Sequence, residues 1–146
     1  MKPSPGEIEL RLFERTPPDA VNEWLPTLQF GIYLPREIQP VGGCSLRIGY
    51  TSAIEKYRGN IGYRIREKWR GHHFAGKACL LLRDIALAEG MDHLWITCNP
   101  ENLASRKTCE WIGAEYLGTV ELPPEEVRLM NGEIRKCRYR WRLRTE

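Results

Sequence analysis

The chain opens on a strict alternation. In Glu7–Glu14 (EIELRLFE) the apolar residues Ile8, Leu10 and Leu12 fall on every second position, the period of a half-buried strand. Thr16-Pro17-Pro18 breaks that run, and Asp19–Leu25 reads as a short helix capped by Asp19. Leu28–Leu34, rich in aromatic and branched residues, predicts a second strand. Pro35 to Pro40 turns the chain into a third near Val41–Tyr50, weakened by Gly42-Gly43. After the turn at Arg58-Gly59-Asn60, Ile61–Arg66 (IGYRIR) alternates again as a short strand.

From Phe74 to Glu89 the period changes. Apolar residues recur at Phe74, Ala78, Leu81, Leu82, Ile85 and Ala88, which predicts a helix ended by Gly90. Leu94–Cys98 (LWITC) reads as a buried strand, and Asn99-Pro100-Glu101-Asn102 turns the chain into a shorter helix, Leu103–Ile112, stopped by Gly113. Ala114–Leu122 predicts a strand ended by Pro123-Pro124. Asn131-Gly132 then predicts a hairpin between Val127–Met130 and Glu133–Leu143. In that last strand Cys137, Tyr139, Trp141 and Leu143 share one face, and Arg138, Arg140, Arg142 and Arg144 share the other. The arginines read as the solvated face of an edge strand, where charge blocks edge-to-edge pairing. No repeat, linker or low-complexity tract interrupts the chain. The expectation is a single mixed α/β domain over residues 1–146.

Length and composition agree with one domain. The 146 residues are 42% hydrophobic, with five Trp and a mean hydropathy of −0.48, which excludes disorder and is long enough to bury a core without staples. No 18-residue apolar window and no apolar leader are present, so neither a membrane span nor a secretory signal is expected. Cys44, Cys79, Cys98, Cys109 and Cys137 form no CxxC pair and mostly lie in apolar runs. They are expected as buried, reduced thiols in a cytoplasmic protein rather than as disulfides or metal ligands. His72 and His73 are adjacent, a spacing that suits neither one helix face nor a tetrahedral site, so no metal is expected.

The net charge of +3 conceals a segregation. Residues 56–77 carry seven basic and one acidic residue, and residues 128–146 seven basic and two acidic, within an otherwise neutral to acidic chain. Two basic blocks point to a local anionic partner or to solvated faces. On the final strand aromatics and arginines lie on opposite faces, whereas a single-strand nucleic-acid binder places stacking aromatics beside its cations.

The first basic block coincides with a strand–loop–helix junction, Gly62 to Lys77, in which Lys68, Arg70 and Gly71 precede the longest helix. A helix N-terminus presents unpaired N–H groups and a partial positive charge, and the small residues Gly71, Ala75 and Gly76 let an anion approach the backbone. The P-loop and dinucleotide spacings GxxxxGK[ST] and GxGxxG are both absent. Charge and spacing alone leave a phosphate-binding loop and an ordinary basic loop equally open.

Three stretches in order resemble one family. Gly62-Tyr63-Arg64-Ile65 with Arg70-Gly71-His72-His73-Phe74-Ala75 and Ala78 is similar to the strand and acyl-CoA loop (R/Q-x-x-G-x-G/A) of GNAT acyltransferases. Asn99-Pro100-Glu101-Asn102-Leu103-Ala104-Ser105 and Glu110-Trp111-Ile112-Gly113-Ala114 resemble their N-x-x-S…E-x-x-G-F stretch. The flavour is that of the ribosomal-protein N-terminal acetyltransferase branch, and the likeness runs from about residue 41 to the C-terminus.

The resemblance implies a mostly antiparallel sheet flanked by helices and transfer of an acetyl group from acetyl-CoA to a primary amine of a small molecule or a peptide N-terminus. The acetyl group would pass by direct attack within a ternary complex, without a metal. It further implies that the strand at Gly62–Arg66 splays from its neighbour, with the N–H of Ile65 or Arg66 as oxyanion donor. Backbone N–H groups of Gly71, His72, His73, Phe74, Ala75 and Gly76 would hold the diphosphate, with Arg70 adding charge. Asn102 would bond the pantetheine arm or cap its helix, with Ser105 one turn on. His73 stands where the family usually has Gly, Cys109 where many relatives carry the Tyr that protonates the leaving thiolate, and Asn60 where this branch often carries Glu. Cys109 is therefore a candidate acid, and Glu55, Tyr57 and Glu67 are candidate bases near the expected site.

Only about a dozen residues separate the first strand from Leu28, where relatives place two helices, so the acceptor region is expected to be short and open, with Trp24, Phe30 and Tyr33 as candidate lining. Two alternatives stay in play, a non-catalytic acyl-CoA-binding module of the same fold and a small basic nucleic-acid-binding domain. Monomer and homodimer are both compatible with the sequence.

Overall fold

The computed structural model describes residues 8–19 and 25–144. Seven strands and three α-helices follow in the order β1 (Glu9–Thr16), β2 (Thr27–Tyr33), β3 (Gly42–Arg47), β4 (Ile61–Ile65), α1 (Phe74–Ala88), β5 (His93–Cys98), α2 (Leu103–Ile112), β6 (Glu115–Glu121), α3 (Pro124–Leu129) and β7 (Arg135–Arg142). The helix expected over Asp19–Leu25 falls mostly on residues 20–24, outside the described residues.

The strands form two antiparallel sheets. One has the order β1-β2-β3-β4 and the other β5-β7-β6. Leu28, Phe30 and Ile32 of β2, Cys44 and Leu46 of β3 and Ile61 of β4 project to one side, where α1 covers them with Ala78, Cys79, Leu82 and Ala86. Leu46, Leu82 and Leu94 have no exposed surface. Burial of each such side chain is worth about 1.5–3 kcal/mol. All five cysteines are free thiols within this core. No helix among the described residues is long and apolar enough to cross a membrane.

Two short helical pieces carry no periodic signal. Ile54–Arg58 is a π-helical turn after β3, and Glu67–Trp69 is a 3-10 turn after β4. The π-turn is held down by Arg58, whose guanidinium meets the buried carboxylate of Glu126 on α3 through bonds of 2.8 and 3.3 Å.

The C-terminal region departs from expectation twice. Residues 124–129 are helical, not the first arm of a hairpin. Pro124 occupies the first helical turn and Glu125 and Glu126 follow it, an arrangement that starts a helix more readily than a strand. Asn131 and Gly132 still turn the chain with positive φ, but they leave a helix end, with the Gly132 N–H donating to the Val127 carbonyl. The second correction concerns β7. Its Cys137, Tyr139, Trp141 and Leu143 face is buried as predicted, yet the strand lies centrally between β5 and β6. Alternation specifies the faces of a strand and is silent about its lateral neighbours. The arginine face is also not simply wet: Arg140 pairs with Glu115, and Arg138 donates to the Glu55 carbonyl and lies over the Trp95 ring.

Candidate active site

The two sheets touch where β4 begins and part as it proceeds. At the junction Asn60, wholly buried, donates its backbone N–H to the Trp95 carbonyl and accepts the Trp95 N–H on its side-chain oxygen. Its amide nitrogen donates to the carbonyls of Arg47 and Gly49. Every polar group of this side chain is used as a structural clamp. Beyond it, β4 pairs only with β3, and its other edge faces a groove.

That groove has a volume of about 820 Å³ and runs from Tyr63 and Ile65 past Arg70, Gly71, His73, Phe74 and Ala75 to α2, where Asn102, Ser105, Lys107 and Thr108 complete it. Arg66 donates its N–H to the Val41 carbonyl of the β3 side. Successive N–H groups of a strand alternate in direction, so the Ile65 N–H points to the open edge. Of the two oxyanion donors expected, Ile65 is the one aimed at the groove. Arg66 is spent within the sheet.

At the outer end α1 begins. Lys77 is the first residue to close a helical bond, onto His73, so the N–H groups of Phe74, Ala75 and Gly76 have no partner within the helix. Arg70 anchors its Nε on the Ile65 carbonyl at 3.0 Å and adds positive charge. Gly71 has φ +92° with empty space where a side chain would start. His73 adopts the left-handed conformation that glycine favours, φ 60°, and its ring stacks on Trp111 of α2 at 4.7 Å and 10°. This stacking offsets part of the conformational cost and draws the ring to the α2 side. Gly76 makes the stack possible from beneath, since a Cβ there would lie 2.3 Å from the Trp111 ring. Gly76 and His72 do not line the groove. The ring of His72 stacks instead on Phe74.

On the inner wall the Tyr63 hydroxyl lies 2.7 Å from Ser105 Oγ and 3.9 Å from Cys109 Sγ. Burial holds the Tyr63 hydroxyl well above its ordinary value and raises Cys109 from 9.0 to about 12. Cys109 sits behind Tyr63 and Ser105 and does not line the groove. Asn102 caps α2 through its side-chain oxygen, which accepts the Ser105 N–H at 3.1 Å. Tyr63 and Trp111 were legible in the sequence only as parts of a family pattern. Their contacts join segments 35 or more residues apart.

Glu55 and Tyr57 lie on the π-turn, where their carbonyls accept from Arg138 and Thr97, and neither lines this groove. Glu67 is exposed on the 3-10 turn and also stays outside it. The one carboxylate in the lining is Glu133, ion-paired with Lys136. Among the described residues no group of three or more His, Cys, Asp or Glu is placed to hold a metal ion.

A second groove, of about 640 Å³, opens on the other side of β4. Gly43, Ser45 and Gly62 form its floor, with Phe13, Gln29, Arg64 and Arg66 around them. Tyr63 and Arg64 border both grooves. Phe30 contributes here from the core, Tyr33 packs against Arg11 instead, and Trp24 lies outside the described residues.

The fold that carries this groove is shared with known proteins. The model of the acetyltransferase (GNAT) domain matches residues 4–115, well over half of the chain. The chain belongs to the GNAT family. Solved GNAT-like structures superpose on it at the level of the fold. The ribosomal-protein-S5-alanine acetyltransferase from Vibrio fischeri gives a TM-score of 0.62 at 15% identity, over 80% of this chain and 61% of that one. The microcin C7 self-immunity acetyltransferase MccE, solved with acetyl-CoA and AMP, gives 0.61 at 18%, with 80% and 61% covered. RimJ of Mycobacterium smegmatis, in complex with CoA-disulfide, gives 0.61 at 20%, with 80% and 53% covered. This GNAT chain thus spans less than two thirds of the length of each. No curated protein matches it.

Proposed function

We propose that this chain is an N-acetyltransferase that moves the acetyl group of acetyl-CoA to a primary amine by direct attack. The observation that carries the reading is the groove between β4 and α2, which runs from the free edge at Ile65 to the unpartnered N–H groups at the start of α1. An extended pantetheine arm matches the β4 edge, and a diphosphate matches the helix N-terminus beside Arg70 and Gly71.

In this reading the thioester carbonyl lies against the Ile65 N–H. The amine nitrogen attacks the carbonyl carbon, and the C–N bond forms as the oxygen gains charge, stabilised by that N–H. Collapse breaks the C–S bond, and the departing thiolate takes a proton from the Tyr63–Ser105 hydroxyl pair, which regains one from water. Burial raises Tyr63 and so disfavours a lasting tyrosinate, which ties the donation to that immediate replacement. The amine's surplus proton leaves to water, because neither groove presents an unpaired carboxylate at Ile65. The enzyme's contribution is chiefly orientation and oxyanion stabilisation. The five free thiols favour a reducing, cytoplasmic setting, and the ten-residue β1–β2 connection favours a short acceptor wall within one domain.

The second reading, a non-catalytic acyl-CoA-binding module, is favoured by the pairing of Glu133, which leaves the groove without a free carboxylate. Calorimetry with acetyl-CoA and CoA, followed by thiol release with a panel of amines, separates the two. Binding with thiol release supports the enzyme, binding without release supports the module, and absence of binding at millimolar ligand overturns both.

A further inference from the structure

We infer that the second groove receives the acceptor, and that this acceptor is a small primary amine bearing a negatively charged group, a carboxylate or a phosphate. The inference rests on the acetyl-transfer reading and extends it to the class of the second substrate. Two grooves flank β4 and share Tyr63 and Arg64, so a molecule in the second can reach the end of β4 from the side opposite to the donor.

The chemistry of the second groove is one-sided. Its lining includes two guanidinium groups and no carboxylate. Arg66 is fixed by one bond to the Pro40 carbonyl and has further N–H groups to offer. The Arg64 guanidinium is exposed and has no hydrogen-bond or ion-pair partner among the described residues. Glu14 is opposite Gln29 in the β1–β2 register, yet it stands outside the lining, and Glu9 is paired with Arg11. A carboxylate or phosphate bound by Arg64 and Arg66 gains charge-assisted, bidentate bonds that a neutral amine lacks. Phe13, Phe30, Pro40 and Tyr63 give the groove an apolar wall that meets the anionic and the neutral member of an amine pair alike, so the two guanidinium groups are what tells them apart. The volume suits a small molecule.

The test uses matched pairs that keep the amine and delete the anion: amino acids against their amides, and phosphoethanolamine against ethanolamine. Acetyl-CoA binding is first measured by calorimetry, so that a failure of the donor reading shows there and overturns both. With the donor bound, kcat/KM from thiol release is expected to be at least tenfold higher for the anionic member of one pair. The pair showing the effect tells carboxylate from phosphate. Arg66→Gln, outside the donor groove, is expected to bring that ratio near one with acetyl-CoA affinity unchanged. Equal or better use of the neutral member, a ratio untouched by Arg66→Gln, no reaction with either member, or a peptide N-terminus accepted better than every small anionic amine overturns the inference.

Discussion

Asn60 and Trp95 exchange two hydrogen bonds, backbone N–H to carbonyl at 2.6 Å and Trp95 N–H to the Asn60 side-chain oxygen at 2.9 Å. Together they form the hinge from which β4 and β5 diverge. The position expected by family resemblance to carry an acidic group is instead a buried clamp at the root of the groove proposed for the donor. Asn60→Ala leaves the Arg47 and Gly49 carbonyls and the Trp95 N–H without partners in a dry site. Such losses cost about 2–4 kcal/mol in total. Asn60→Asp is expected to be worse, since it places a carboxylate oxygen against two carbonyls. Urea unfolding of both variants checks this. A loss under 1 kcal/mol for both removes Asn60 from the role of clamp.

The Tyr63–Ser105 pair carries a kinetic expectation. Tyr63→Phe keeps the ring and removes the proton, so kcat is expected to fall roughly tenfold or more, with a stability loss of about 1 kcal/mol. Because the two hydroxyls act as a unit, Tyr63→Phe with Ser105→Ala is expected to be scarcely slower than the slower single variant. Steady-state kinetics on the four proteins of this cycle decide it. Fully multiplicative effects show that the two hydroxyls work independently.

What could be read ahead of the structure had a local cause. The long helix shows itself in the spacing of Ala78, Leu82 and Ile85. The second helix shows its own ends, an Asn102 cap and a Gly113 stop, and the structure places both there. The faces of β7 follow from period two. What stayed hidden depends on chain-distant packing. No residue near 60 announces that its side chain will bind Trp95, and nothing in Arg66 shows that its N–H is spent on Val41 while that of Ile65 is free. The run at 124–129 is ambiguous for a different reason: Asn131-Gly132 serves a helix end as well as a hairpin, and the Pro124-Glu125-Glu126 start signal decides for the helix.

The buried thiols make stability depend on alkaline pH. Burial raises both Cys44 and Cys109 from 9.0 to about 12. The unfolded chain therefore releases these protons first. The stabilisation is fully present below about pH 9 and is lost as pH rises towards 12. The urea midpoint is expected to fall between pH 8.5 and 11, and Cys109→Ala to flatten that fall while lowering the midpoint at pH 8. Parallel curves for the two proteins would assign the alkaline loss to other groups.

Gly71 offers the cleanest check on where the coenzyme diphosphate sits. Its φ of +92° is costly for any side chain, yet a Cβ there meets nothing within 4 Å. Gly71→Ala therefore carries a backbone cost of about 1 kcal/mol and no clash. Acetyl-CoA affinity is expected to weaken less than tenfold. Gly71→Glu adds the same strain and also a negative charge beside Arg70, at the mouth where the α1 N–H groups would face the proposed diphosphate. Its affinity is expected to drop well over tenfold, and to recover in part at high salt as the repulsion is screened. Calorimetry at two ionic strengths reads both effects. Equal, salt-independent losses in the two variants would mean that strain alone acts, and that the diphosphate lies elsewhere.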